Sequence, residues 1–191
     1  MRKSIISILL FFIVSFIFTS TSIAETKSET ELLPDITLTV PANTAHIQYM
    51  GLKGVPGTPF KISDIDADIL MIELISMYCP YCQKAAPTIN VLYEKMEQKK
   101  RPYLKLVIIG IGANNTDLEV DTFRHGFDIA FPLFSYPDLS IYKILAGAGT
   151  PTFIGCKKGE AFTNLIFFLK SGGFKNPSEF LDDLINRSGL K

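Results

Sequence analysis

The chain has 191 residues, 47% of them hydrophobic and 20% charged, which suits one globular domain and excludes a disordered segment or a repeat array. Nineteen Lys and Arg balance nineteen Asp and Glu, so no excess basic field exists to gather nucleic acid or anionic lipid. Three cysteines are too few to staple a disulfide mini-protein, but two of them, Cys79 and Cys82, stand three positions apart.

Arg2 and Lys3 precede the uncharged run Ile5 to Phe18, and the chain then turns small and polar from Thr19 to Ala24. This order is that of a secretory signal peptide, with Ser22 and Ala24 at the positions a signal peptidase reads and Glu25 opening the mature chain. Fourteen helical residues span about 21 Å, short of the roughly 30 Å hydrocarbon core, so cleavage is expected and an uncleaved inner-membrane anchor is the alternative. Losing residues 1 to 24 removes two positive charges and leaves the mature chain at −2. The expected location is periplasmic or otherwise extracytoplasmic, where thiols are either oxidised or actively kept reduced.

The mature chain divides into a leader and β-hairpin extension, 25–58, and a main domain, 59–191. Residues 25 to 34 are polar and expected to be loose. Ile36 to Val40 and Ala45 to Met50 are predicted strands around Pro41-Ala42-Asn43-Thr44, and Gly51 to Pro59 is a loop. Ile69 to Ile75 is nearly all apolar, the pattern of a central strand covered on both faces, and it runs into Cys79-Pro80-Tyr81-Cys82. Ala85, Ile89, Leu92, Tyr93 and Met96 then recur at helical spacing, and Lys99-Lys100-Arg101 is placed to close that helix against its dipole.

Leu104 to Ile111 is a second buried-type strand, followed by a short helix through Val120, Phe123 and Phe127. Phe131 to Phe134 suggests an edge strand and Leu139 to Leu145 a helical turn or two. Thr152 to Ile154 and Asn164 to Leu169 form a hairpin around Lys157-Lys158-Gly159-Glu160. Asn176-Pro177-Ser178-Glu179 opens a closing helix, with a cap, a first-turn proline and a glutamate three on from the cap. Such alternation of strands and helices favours a mixed or mostly parallel sheet.

A cysteine at the start of a helix faces unpaired backbone N–H groups and the positive end of the helix dipole, which favour thiolate over thiol. Pro80 suits the next position because its missing N–H would have found no partner there. Cys79 is therefore the predicted nucleophile and Cys82, one turn further in, the resolving thiol. Zinc is disfavoured, since Cys156, His46 and His125 are not paired at ligand spacing. Covalent haem attachment fails because Gln83, not His, follows Cys82. An inert structural disulfide remains an alternative. His46 and His125 are expected at the surface or in caps, and Cys156 as a small buried thiol.

From Phe60 to about Lys170 the chain resembles the thioredoxin superfamily, most closely its exported TlpA-like branch. Lys61 to Ile65 resembles the strand and short turn before that branch's central strand. Ser76-Met77-Tyr78-Cys79-Pro80-Tyr81-Cys82 matches the redox motif, with Tyr78 where Trp is common, and Pro87 falls where thioredoxins kink this helix. Gly149-Thr150-Pro151-Thr152 matches the cis-proline loop, and Asn114 to Tyr136 the extra helix and strand of TlpA-like members.

The resemblance implies a central mixed sheet flanked by helices, carrying an N-terminal strand extension and an αβ insertion between the redox motif and the cis-proline loop. It implies a protein dithiol–disulfide oxidoreductase needing no metal or organic cofactor, with protein thiols and disulfides as substrates and a membrane or periplasmic partner that recycles the pair. Tyr78, Tyr81, Thr150 and Pro151 would contact substrate. Glu73 would stand where thioredoxins keep a buried acid that exchanges protons with the resolving cysteine; strand alternation turning it to solvent is the bland alternative. The direction implied is reductase or isomerase rather than oxidase, and a monomer is expected. Pro80-Tyr81 is the dipeptide of glutaredoxins rather than thioredoxin, so partner and potential do not carry over. Two further alternatives stay open: a non-catalytic binding module, and a thiol peroxidase, for which Ile72 occupies the place of the peroxiredoxin proline.

Overall fold

The computed structural model describes residues 31–98, 103–144, 149–158 and 164–190. The predicted signal segment and the basic cluster 99–101 lie outside the described residues, as does most of the loose leader.

The chain enters through β1 (Glu31–Leu33) and β2 (Thr37–Thr39), then α1 (Thr44–Met50), β3 (Pro59–Lys61) and a single 3-10 turn over Ile62–Asp64. β4 (Ile69–Ile75) leads into α2 (Pro80–Gln98), β5 (Leu106–Ala113), α3 (Asp117–Gly126), β6 (Leu133–Tyr136) and α4 (Ser140–Ile144). β7 (Thr152–Lys158), β8 (Asn164–Ser171) and α5 (Pro177–Ser188) close it. Among the described residues the main sheet runs β1-β8-β7-β4-β5-β6. β4, β5 and β6 are parallel, and β7 is antiparallel to both β4 and β8. The expected mixed sheet, hairpin, edge strand and closing helix are all present. No helix among the described residues is long and apolar enough to cross a membrane.

Two elements differ from the sequence reading. Ala45 to Met50 is the helix α1, not a strand. The Asn43 side chain accepts the Ala45 N–H at its start and Gly51 takes φ 67° at its end, so a cap and a stop bracket seven residues whose apolar members look like alternation. β2 therefore pairs with β3 rather than with its expected neighbour. Within the segment expected to be a loose leader, Glu31–Leu33 form β1, which adds to the outer edge of β8.

The main sheet separates two apolar layers, as the strand period of two requires. Leu70, Ile72 and Leu74 of β4 pack with the β2–β3 pair and α1 on one face; Ile69, Met71 and Ile75 pack with α2 and α5 on the other. At roughly 1.5–3 kcal/mol for each large side chain buried, β4, buried along its whole length, is the centre of the fold. β6 begins too late to meet Ile108, whose N–H instead donates to the Tyr49 hydroxyl at 2.9 Å. That bond seats α1 against the uncovered stretch of β5. Gly112 allows a second close approach: a Cβ there would stand 2.6 Å from Val120 and 3.2 Å from the Cβ of Asn115. The turn into α3 is thereby tucked against the sheet beside the cysteine pair.

Candidate redox site

β4 ends at Ile75, and the next few residues turn into α2. The Cys79 N–H donates to the Ser76 carbonyl at 3.0 Å, while the Cys79 carbonyl accepts from Cys82 N at 3.0 Å and Gln83 N at 3.1 Å. Cys79 thus occupies the cap position of α2 with Pro80 as its first helical residue, the arrangement in which proline costs no hydrogen bond. Cys79 is partly exposed; Cys82 is fully buried beneath it.

The Thr150–Pro151 bond is cis, as the resemblance implies, and this loop lies against the nucleophile: the Cys79 thiol donates to the Thr150 carbonyl at 3.2 Å. That contact favours the protonated thiol, and partial burial also opposes ionisation. Hydrogen bonds from the Thr150 side chain, from the Cys82 backbone and thiol, and from the Tyr81 backbone outweigh burial, holding the Cys79 thiol below its ordinary value. For Cys82 burial dominates and pushes the thiol up to about 12. One sulfur is tuned toward thiolate and its neighbour away from it.

Glu73 is 2% exposed. It shares the strand parity of Ile69, Met71 and Ile75, which pack with Cys82, so its side chain belongs to the face that carries α2. In register it lies between Gly110 of β5 and Phe153 of β7, and desolvation raises its carboxyl to about 8. The solvent-facing alternative for Glu73 is thereby corrected: the strand is covered on both faces.

Cys79, Cys82 and Thr150 come together, with Pro151 next along the cis-proline loop and Glu73 on the same face of β4 as Cys82. Tyr78 and Tyr81 remain 65% and 73% exposed on either side of the nucleophile. Cys156 is buried in the opposite layer, and burial pushes it up to about 12. His46 Nε2 lies 3.2 Å from the Ala130 carbonyl and His125 Nδ1 2.8 Å from the Asp121 carbonyl, so each histidine has a local backbone partner.

Three contributors escaped sequence reasoning. Tyr142 of α4 hydrogen-bonds the Thr150 side chain; burial raises its phenol, and charge on Cys82 and Cys79 adds to that. Asn115 Oδ1 accepts the Met77 N–H at 2.9 Å, and the Tyr78 O–H donates to Glu119. All three come from segments distant from the motif. The one local signal that could have pointed to them is the Thr116-x-x-Glu119 capping box, which the sequence reading passed over.

Fold and site together define a thioredoxin-fold protein whose Cys-x-x-Cys pair opens an amphipathic helix beside a cis-proline loop. No protein-family model matches the chain. Among curated proteins it is 26% identical over 110 residues to the thiol-disulfide oxidoreductase ResA of Bacillus thuringiensis subsp. konkukian. That match takes in 57% of this chain and 61% of the relative, so the chain spans about three fifths of the curated relatives it matches. Among solved structures, a candidate protein disulfide isomerase from Bacteroides thetaiotaomicron superimposes with a TM-score of 0.60 at 19% identity, over 83% of this chain and 88% of the other. A secreted Mycobacterium tuberculosis disulfide oxidoreductase, described as homologous to E. coli DsbE, gives 0.54 at 13% identity over 68% and 90%. The chain thus has the thioredoxin fold of these structures, and the curated relatives it matches over part of their length are thiol-disulfide oxidoreductases.

Proposed function

We propose that this protein exchanges disulfides with protein substrates through Cys79 and Cys82, most often as a reductant or isomerase, outside the cytoplasm. One observation carries the reading: a partly exposed thiol, lowered below its ordinary value, sits at the start of α2 against the cis-proline loop, with a buried, raised thiol directly beneath it.

The Cys79 thiolate attacks one sulfur of a client disulfide. The client S–S bond breaks, and the leaving sulfur takes the electron pair and a proton. Cys82 then surrenders its proton to ionised Glu73 and attacks the Cys79 sulfur of the mixed disulfide. The client leaves as a dithiol, the Cys79–Cys82 disulfide remains, and two electrons have passed to the client. Glu73, raised to about 8, is a base strong enough to matter near neutral pH and too weakly solvated to stay ionised below it. Tyr78, Tyr81, Thr150 and Pro151 form the client contact, with the loop offering backbone groups to an extended segment.

A membrane or periplasmic electron donor would return the pair to the dithiol. Residues 1–24 act as the signal segment and 59–191 as the thioredoxin-like domain; the charged, apolar and small-residue order of residues 1–24 supports export. The direction follows from the site's chemistry. The Cys79 thiolate is favoured by hydrogen bonds rather than by a cationic neighbour, which argues against an extreme oxidant. A redox titration against glutathione should place the couple nearer about −270 mV than about −120 mV. A value above about −150 mV, with the pair fully oxidised in acid-quenched cells, would make the protein an oxidase. A value below about −300 mV would favour a structural bridge in a binding module.

A further inference from the structure

Between β5 and β6 the chain inserts α3, and its first turn reaches back to the loop that carries Cys79. Tyr78 stands immediately before the nucleophile with an exposed ring, and its O–H donates to Oε1 of Glu119. Oε2 of Glu119 is itself held: it accepts the Thr116 N–H at 2.7 Å and the Thr116 hydroxyl at 3.1 Å, while the Glu119 N–H donates to Thr116 Oγ1 at 3.4 Å. The carboxylate is therefore locked into the helix cap rather than free to follow the tyrosine.

The backbone of the same loop is pinned from both sides. Buried Asn115 accepts the Met77 N–H at 2.9 Å, and the Gln83 side-chain amide donates to the Met77 carbonyl at 2.8 Å. Tyr78 is thus fixed at its backbone by the start of α2 and the Asn115 turn, and at its tip by Glu119. The carboxyl of Glu119 lies below the usual carboxylate range, chiefly through the Tyr78 bond, so it is purely an acceptor at neutral pH.

A hydrogen bond this exposed contributes little to stability, so its consequence is conformational. Keeping a tyrosine ring rigid and in water beside a nucleophile lowers the entropy cost of seating a second chain on it. We propose that Glu119 is a positioning residue for disulfide exchange with polypeptides: it holds Tyr78 as a preset wall beside Cys79, so that the inserted helix confers preference for protein disulfides over small ones. The inference rests on the exchange activity proposed above and adds a determinant of substrate class.

The test compares insulin, a polypeptide disulfide, with hydroxyethyl disulfide, a small disulfide that brings no polypeptide to be seated. Glu119→Ala should raise KM for insulin about fivefold with kcat little changed, Tyr78→Phe should raise KM by a similar factor, and the double variant should be no worse than either single one. For Glu119→Ala the rate toward hydroxyethyl disulfide should move by less than about twofold. Glu119→Gln keeps one acceptor oxygen for the Thr116 N–H and turns an amide donor to the Tyr78 hydroxyl oxygen, so it should hold the insulin KM near that of the unaltered protein. Thr116→Ala, which loses the hydroxyl contact but keeps the Thr116 N–H bond to Oε2 and the Tyr78 bond, should raise it clearly less than Glu119→Ala does. Additive effects in the double variant, or a Thr116→Ala variant that raises KM equally, would overturn the proposal. Loss of exchange with both substrates in the unaltered protein would instead defeat the parent reading.

Discussion

The two faces of the central sheet each bury a cysteine, and the contrast isolates what makes a thiol useful. Cys82 and Cys156 are both fully buried and both pushed up to about 12 by desolvation. Cys156 packs among Leu70, Ile72 and Leu74 and has no thiol partner. Cys82 packs among Ile69, Met71 and Ile75, with Glu73 in the same layer and Cys79 one turn away at the start of α2. Burial makes both sulfurs inert at rest. On the function proposed above, only Cys82 has beside it a nucleophile that would bring it an electrophilic sulfur and a carboxylate on the same face that would take its proton.

The sharpest way to break this comparison is to delete one cysteine from each face. Cys79→Ser should abolish disulfide exchange, a fall of more than about a thousandfold, because no other thiol is both exposed and favoured as thiolate. Cys156→Ala should leave the exchange rate within about twofold, since a small buried thiol serves packing. Insulin reduction assays on both variants check the pair. A large loss in Cys156→Ala would place the second face in the reaction.

A smaller effect separates the two steps on the active face. Glu73→Ala should slow release of the mixed disulfide by about tenfold to a hundredfold while changing its formation less than about twofold. Release in the unaltered protein should quicken as pH rises toward about 8, where Glu73 loses its proton, and the variant should lack that rise. Stopped-flow measurement with a trapped mixed disulfide distinguishes the steps. Equal slowing of both would reduce Glu73 to a packing role.

The same carboxyl has a smaller, thermodynamic signature. Its native value of about 8 lies above its unfolded value, so the native state holds a proton the unfolded chain has released across the interval from about 4.5 to about 8. The stabilisation is complete below the unfolded value and fades as pH rises through the native one, at about 1.4 kcal/mol per pH unit for this group. Glu73→Gln cannot ionise and should lose that slope. Urea titrations at pH 5 and pH 8 should show the variant gaining on the parent protein as pH rises, and parallel curves would contradict the assigned burial.

Much of this was legible in the sequence because the central elements have short-range signatures. The apolar run of β4, the helical period of α2 and the cap of α5 each state their own structure, and the Cys79-Pro80-Tyr81-Cys82 spacing announces its chemistry. The α1 segment misled because Ile47 and Tyr49 mimic alternation; Asn43 and Gly51, eight residues apart, were the signal for a capped helix. The partners of the redox loop were not legible for a different reason. Asn115, Glu119 and Tyr142 approach the cysteines through tertiary packing, and the clearance that Gly112 provides for the Asn115 turn has no signature within any one segment.

The central claim is that neighbouring sulfurs on one face are tuned in opposite directions while the sulfur on the other face stays silent. Timed alkylation of the reduced native protein with iodoacetamide across pH 5 to 9, with each site assigned by mass spectrometry, tests it most directly. Cys79 should react first, with an apparent pKa below 9, and Cys82 and Cys156 should remain unmodified until the chain unfolds. Equal rates at all three thiols, or Cys82 reacting ahead of Cys79, would contradict the account.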